Sequence, residues 1–411
     1  MSHEHPIDRR VFLKTLAAAS AGAALAPPAA LATENAPPPD GQTGATLKTR
    51  MPSRPFGKTG VELPILTFGA MFNVGAAPFL FKQALEWGLT CWDTADCYNF
   101  SGFSEDAIGR YFEKNPAARD QVFLITKCDE REPRGMDRLL RRSLDRMHRT
   151  QIDLYLIHGA SDFDEMSPAV FDWAARAKQE GRIRFFGFST HKNMEECLFR
   201  AARADGVDGI MFTCNYRLLQ SDRMQAAIQA CADKGIGLIA MKTQGGGQVQ
   251  TGSPAELKLA GRFVEAGFTD AQAKLKAVWE DTRITTITSL CKTTTILTAN
   301  VAAALGRKTL AQADRELFRQ AAQETCSGYC AGCARICEEA TAGRPPISDA
   351  MRHLMYYHSY GDPDLARREF AALPAAARAL LAGADYTAAE ARCPQRMPIA
   401  RLMREAIERL G

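Results

Sequence analysis

From Pro64 onward the chain alternates between two hydrophobic patterns. Short apolar runs occur at 65–70, 90–93, 122–126, 154–157, 185–188, 209–212, 237–240 and 285–289. Longer stretches with apolar residues on one helical face lie between them, at 79–87, 104–113, 136–147, 169–179, 194–204, 221–233 and 271–280. A further one, 295–304, follows the last run. The short runs predict strands and the long stretches predict amphipathic helices. The strands read as apolar throughout, as expected when both faces of a sheet are buried. Regular alternation predicts βα units and a parallel sheet. Eight units over roughly 250 residues suit a closed (β/α)8 TIM barrel better than an open sheet.

A barrel dictates where chemistry belongs: just past the C-terminal ends of the strands. Polar residues stand there. Asp93 ends the second predicted strand, Lys127 the third and His158 the fourth, while Ser189 follows the fifth and Lys242 the seventh.

The local motifs sharpen this. Trp92-Asp93-Thr94-Ala95-Asp96-Cys97-Tyr98 is followed by Ser104-Glu105 and Gly109, Lys127 closes Leu-Ile-Thr-Lys, and His158 closes Ile-Asp-Leu-Tyr-Leu-Ile-His. Gly181-Arg182-Ile183-Arg184 then leads into Gly187-Phe188-Ser189. Over about residues 54–304, in this order, these motifs resemble the aldo-keto reductase superfamily. Carbonyl reduction needs a hydride on carbon and a proton on oxygen. The resemblance implies Tyr98 as the general acid. Lys127 would lower the pKa of its phenol, and Asp93 would hold Lys127 charged. His158 would donate a hydrogen bond to the oxygen of a small-molecule carbonyl or alcohol substrate. The hydride would come from NADP or NAD.

The cofactor positions depart from the family pattern. Ser189-Thr190 stands where a Ser-Asn pair would grip the carboxamide, Met211 replaces a Gln, and Met241 replaces a stacking aromatic. The late segment carries Lys292, Thr293, Thr294 and Asn300 with no Arg between, which leaves the choice between NADP and NAD open. Lys242 and Gly245-Gly246-Gly247 resemble a subgroup with iron–sulfur motifs at its C-terminus. Ser189, Thr190, Lys242, Lys292 and Asn300 are the expected cofactor contacts. A barrel that only binds or passes electrons is the alternative from another class. Glycan chemistry by paired carboxylates is a second, with Asp96 and Glu105 near the mouth but without a defined acid-pair spacing.

Twelve cysteines need an account. Seven, including Cys97, are scattered through the central part and read as small hydrophobes. Cys326-x3-Cys330-x2-Cys333-x3-Cys337 resembles an iron–sulfur run, although its first gap is longer than in a bacterial ferredoxin and Glu338 replaces the usual Pro. Cys393-Pro394 resembles the end of a second such motif. One [4Fe–4S] cluster is expected. Either Cys326–Cys337 supply all four ligands or Cys393 replaces one of them. Zinc and disulfides are the other readings.

The termini complete the organisation. Asp8-Arg9-Arg10-Val11-Phe12-Leu13-Lys14 precedes a mildly apolar Ala-rich stretch and the small residues Ala30-Leu31-Ala32. This resembles a twin-arginine export signal, so residues 1–32 are expected to leave with the export machinery and the protein to be periplasmic. Residues 33–50 read as a linker, 51–308 as the barrel, and 309–411 as a helical cysteine-containing extension, clearest at 314–323 and 398–410. The twin-arginine route carries folded, often cofactor-loaded proteins, and an electron-transfer partner would then be external. The net charge of +4, with no dense Lys/Arg stripe, argues against nucleic acid. No apolar run is long enough to span a bilayer.

Overall fold

The computed structural model describes residues 51–98, 103–244, 246, 258–259, 261–263 and 267–411. The expected export signal (1–32) and linker (33–50) lie outside the described residues, as do Gly245 and Gly247.

The eight predicted strands all form, and all pair in parallel. They are β3 (Leu66–Gly69), β4 (Cys91–Asp93), β5 (Phe123–Cys128), β6 (Ile152–Ile157), β7 (Ile183–Thr190), β8 (Gly209–Thr213), β9 (Gly237–Met241) and β10 (Thr286–Leu290). The sheet closes on itself in the order β10-β3-β4-β5-β6-β7-β8-β9. The chain is therefore a (β/α)8 TIM barrel with additional C-terminal helices. Closure follows from the apolar runs: strand residues such as Leu154 and Leu156 pack inside the barrel, while Tyr155 and Ile157 pack outward against the helices. Neither face is left for solvent, and the ring leaves no open edge.

The bottom of the barrel is stoppered by a hairpin that the hydrophobic pattern did not announce. Strands β1 (Ser53–Pro55) and β2 (Glu62–Pro64) pair antiparallel and carry Phe56, fully buried, beneath the strands. A Cβ at Gly209 would lie 2.4 Å from the Phe56 ring and one at Gly237 2.1 Å from it, so the ring's place depends on glycine at both strand starts. This end has no part in the chemistry proposed below. It fixes the register that places the top.

At the top, the C-terminal extension builds a second apolar core. Helices 347–358, 363–371 and 399–410 bury Ile347, Met351, Leu354, Phe370, Leu402 and Met403 against one another. The expectation of short helices holds, and the amphipathic segments at 347–358 and 363–371 join those the sequence made clearest. Among the described residues no helix is long and apolar enough to cross a membrane.

Two of the contacts that pin the extension to the barrel lie just past β7. Lys192, just past β7, pairs with Asp349. The cysteine loop lies on the same segment: Asn193 N donates to the Gly332 carbonyl (2.8 Å), and Arg335 N donates to Asn193 Oδ1 (2.9 Å). Gly332 adopts φ +78°, and a Cβ there would sit 2.4 Å from the His191 carbonyl oxygen. Only glycine satisfies both conditions.

Candidate active site

The barrel register assembles the predicted set. Asp93 ends β4 and pairs with Ile125 on β5, so Lys127, two residues on, rises above it on the same face of that strand. The Lys127 ammonium donates to Asp93 Oδ1 at 2.6 Å, to the Thr94 carbonyl at 2.7 Å and to Tyr98 Oη at 3.2 Å. The Lys127 and Asp93 side chains are 1% and 5% exposed, so this is a buried ion pair whose remaining donors are spent on the chain itself. The His158 ring stands edge-on to the Tyr98 ring, centroids 5.8 Å apart. Asp93, Tyr98, Lys127 and His158 therefore meet in one place.

One expectation is corrected. The resemblance implied that Lys127 would lower the pKa of Tyr98. The phenol is instead held well above its ordinary value, chiefly by burial and then by the negative charge of Asp93. Asp93 lies closer to the ammonium than Tyr98 does, 2.6 Å against 3.2 Å. Asp93 itself is pushed up by burial, against the pull of Lys127.

Two residues that sequence reasoning did not assign complete the His158 environment. Asp129, one residue beyond β5, places Oδ1 2.8 Å from His158 Nδ1. Cys97, in the turn after β4, places Sγ 3.4 Å from the same nitrogen. Cys97 had been read as a small hydrophobe, yet it alone among the twelve cysteines is exposed. The polar position just past a strand end was the available signal for Asp129.

Asp96 and Glu105 form no acid pair facing a substrate. Arg142 and Arg146 bind Asp96, and Glu105 is buried between Arg146 and the Thr126 hydroxyl. They brace the strand ends.

Four of the five expected cofactor contacts are engaged within the protein. Buried Ser189 accepts from Gly159 N at 2.9 Å through Oγ, and buried Thr190 donates to the Lys192 carbonyl at 2.8 Å. Lys242, at φ +57°, donates to Tyr356 Oη (3.2 Å) and Tyr360 Oη (3.5 Å) of the extension, its ammonium 4.5 Å from the Tyr356 ring centre. Asn300 is buried on Ser289 and Gln244, while Lys292 is exposed. Tyr329 of the extension reaches down to receive the Asn215 amide at 2.7 Å. These residues form no free cradle for a nicotinamide in this conformation.

The tail cysteines divide in a way the spacing left open. Cys330, Cys333, Cys337 and Cys393 line one apolar pocket walled by Met351 and Ile399, and Cys326 is not among its lining residues. Cys393 takes the fourth place, its sulfur receiving Met397 N at 3.4 Å. Cys330 also lines the neighbouring pocket that contains Lys242 and His191, which ties the thiols to the barrel mouth. No disulfide links any cysteine among the described residues.

Comparison with known proteins agrees with the fold. A model described as the aldo/keto reductase family matches residues 75–304, more than half of the chain. The chain belongs to this family. Among its relatives, the D-threo-aldose 1-dehydrogenase of a Pseudomonas species is 25% identical over 57% of this chain and 78% of its own length. The aldo-keto reductase yakc [NADP(+)] of Schizosaccharomyces pombe is 27% identical over 48% and 62%. In fold, the chain resembles the aldo-keto reductase AKR11C1 from Bacillus halodurans, with a TM-score of 0.56 and 20% identity over 66% of this chain and 96% of that one.

Proposed function

We propose that this protein is an oxidoreductase acting on a small carbonyl or alcohol, with Tyr98 as the proton donor. One observation carries the reading: a buried Lys127 bridges Asp93 and the Tyr98 oxygen. Because the ammonium donates to Oη, the phenol's own proton is left for a substrate oxygen. As that proton leaves, negative charge grows on Oη 3.2 Å from a fixed cation, which stabilises the transition state more than the neutral phenol. Asp93 keeps the cation charged in a dry site. His158 lies beside Tyr98, where an imidazole can polarise the same oxygen.

Kinship supports a nicotinamide as the hydride source: the family itself, and a relative whose name carries NADP(+). Of the residues expected to grip it, Ser189, Thr190 and Asn300 are bonded to other groups of the barrel and Lys242 to the extension, so the geometry defines the proton's path alone. Tyr98→Phe removes the proton and nothing else from the relay, and carbonyl reduction is expected to fall roughly 10²–10⁴-fold. Near-normal turnover in that variant, with a substrate the wild type reduces, overturns the assignment.

The extension carries the second part of the proposal. Cys330, Cys333, Cys337 and Cys393 would hold one [4Fe–4S] cluster, which supplies one-electron transfer when bound. One feature supports it: the pocket is apolar and lined by all four thiols. Iron and sulfide near four per chain in anaerobically prepared protein are expected, unchanged in Cys326→Ser and lost in Cys393→Ser. Stoichiometric zinc, or full loading in Cys393→Ser, contradicts the assignment. Export through the twin-arginine route, after loading in the cytoplasm, belongs to the same reading, as does an external electron-transfer partner.

A further inference from the structure

Three adjacent strand ends bring together three side chains of a kind that the proton relay does not need. Cys97 follows β4, Asp129 follows β5 and His158 follows β6, and these strands are neighbours in the barrel. Among the described residues, theirs is the one group of three Cys, His, Asp or Glu side chains whose ligand atoms all lie within 4.8 Å of one another. We propose that Cys97, Asp129 and His158 form a binding site for a single zinc-class divalent ion at the mouth of the barrel, with its fourth coordination position open.

The sulfur–nitrogen distance suits such an ion, while the Asp129 Oδ1–His158 Nδ1 hydrogen bond of 2.8 Å would open to about 3.4 Å as the ion replaces its proton. Zinc bonds thiolate sulfur at about 2.3 Å and imidazole nitrogen at about 2.0–2.1 Å, so a tetrahedral ion separates the two by about 3.5 Å. Sγ and Nδ1 stand 3.4 Å apart. One sulfur, one nitrogen and one carboxylate oxygen are the donors of a borderline-soft metal. Magnesium and calcium require a shell of oxygens that this place does not offer. Three protein ligands and a vacant fourth position describe a reactive rather than a structural zinc site.

Access and charge agree. Cys97 is exposed and the Asp129 side chain is 48% exposed, so an ion can enter from the mouth. The nearest cations are already neutralised, Lys127 by Asp93 and Arg131 by Glu165 at 2.7 Å. Binding releases the Cys97 thiol proton to solvent as the metal–sulfur bond forms.

The ion would also decide what His158 can do. Without it, Nδ1 serves Asp129, and a neutral ring then presents only a lone pair at Nε2. With metal on Nδ1, the single ring proton sits on Nε2 and the neutral imidazole becomes a donor. This consequence rests on the proposed carbonyl chemistry; the binding site does not.

The test reads the site without turnover. Protein with its extension intact is treated with iodoacetamide in the presence of zinc, magnesium or EDTA, and modification of the Cys97 peptide is followed by mass spectrometry. Zinc should slow alkylation at Cys97 by about tenfold or more while magnesium leaves it unchanged. Asp129→Asn and His158→Ala should each abolish the protection and lower bound zinc by one per chain, whereas Cys393→Ser should keep the protection at Cys97. Equal alkylation with and without zinc overturns the proposal, as does protection that survives in both ligand variants. Neither result bears on Tyr98.

Discussion

At the scale of single residues, the site turns on which neighbour owns the charge of Lys127. Its ammonium lies 2.6 Å from Asp93 and 3.2 Å from Tyr98. A phenol that is buried and faces an anion stays protonated further into the alkaline range than a free one. The sign for catalysis follows. Reduction consumes the protonated form, so no loss of rate assignable to Tyr98 should appear below about pH 10, the ordinary phenol value. The pH profile of kcat/KM for carbonyl reduction, wild type beside Tyr98→Phe, checks this. A Tyr98-dependent decline centred near about pH 8 would mean that Lys127 wins after all. The four residue types and their strand-end positions were legible in the sequence. The direction of the Tyr98 shift was not, because it depends on how deeply the packed chain buries the phenol and on the nearness of Asp93.

At the scale of elements, the extension is held in part by groups that acid reverses. Helix 347–358 buries His353, whose pKa is pushed down to about 3, by burial first and by Arg352 next, and whose Nδ1 has no hydrogen-bond partner. Its folded value lies below its ordinary value of 6.5, so the unfolded chain binds a proton that the folded chain refuses. The stabilising contribution is complete above about pH 6.5 and is lost as pH falls toward about 3, at roughly tenfold in the folding equilibrium per unit. Asp349, held low by Arg352 and Lys192 although burial opposes this, loses its contribution further down, below its usual range. Acidification should loosen the extension before the barrel. Hydrogen exchange of 347–358 should rise between about pH 6.5 and about pH 4 in the wild type, and His353→Leu should flatten that rise. An unchanged slope in the variant would count against His353 as the cause. The cysteine loop adds a pH-independent lock through Gly332. Neither lock was legible beforehand, since each joins residues over a hundred positions apart.

At the scale of the whole molecule, a cysteine-containing helical extension packs on an aldo/keto reductase barrel, and the thiol pocket and the Lys242 pocket share Cys330. The proposed export requires that the chain fold and be loaded first, because close thiols in an oxidising compartment tend to pair. Replacing Arg9-Arg10 by Lys-Lys is therefore expected to leave the protein in the cytoplasm with its leader attached. Fractionation followed by mass measurement decides it, and mature protein in the periplasm of that variant means the leader is something else.

The sequence by itself determined the eightfold alternation, hence the barrel, and the barrel determined that Asp93, Lys127 and His158 stand at neighbouring strand ends. Hydrophobic period is a local property, and closure of a parallel sheet follows from it with little freedom. The tertiary structure alone decided what crosses between distant segments. It seats Phe56 under Gly209 and Gly237, exchanges Cys393 for Cys326 in the thiol pocket, and turns Cys97 and Asp129 toward His158. It also leaves the cofactor positions bonded to the protein's own groups. These are facts of distance between residues that share no local pattern, and distance is set only when the whole chain has packed.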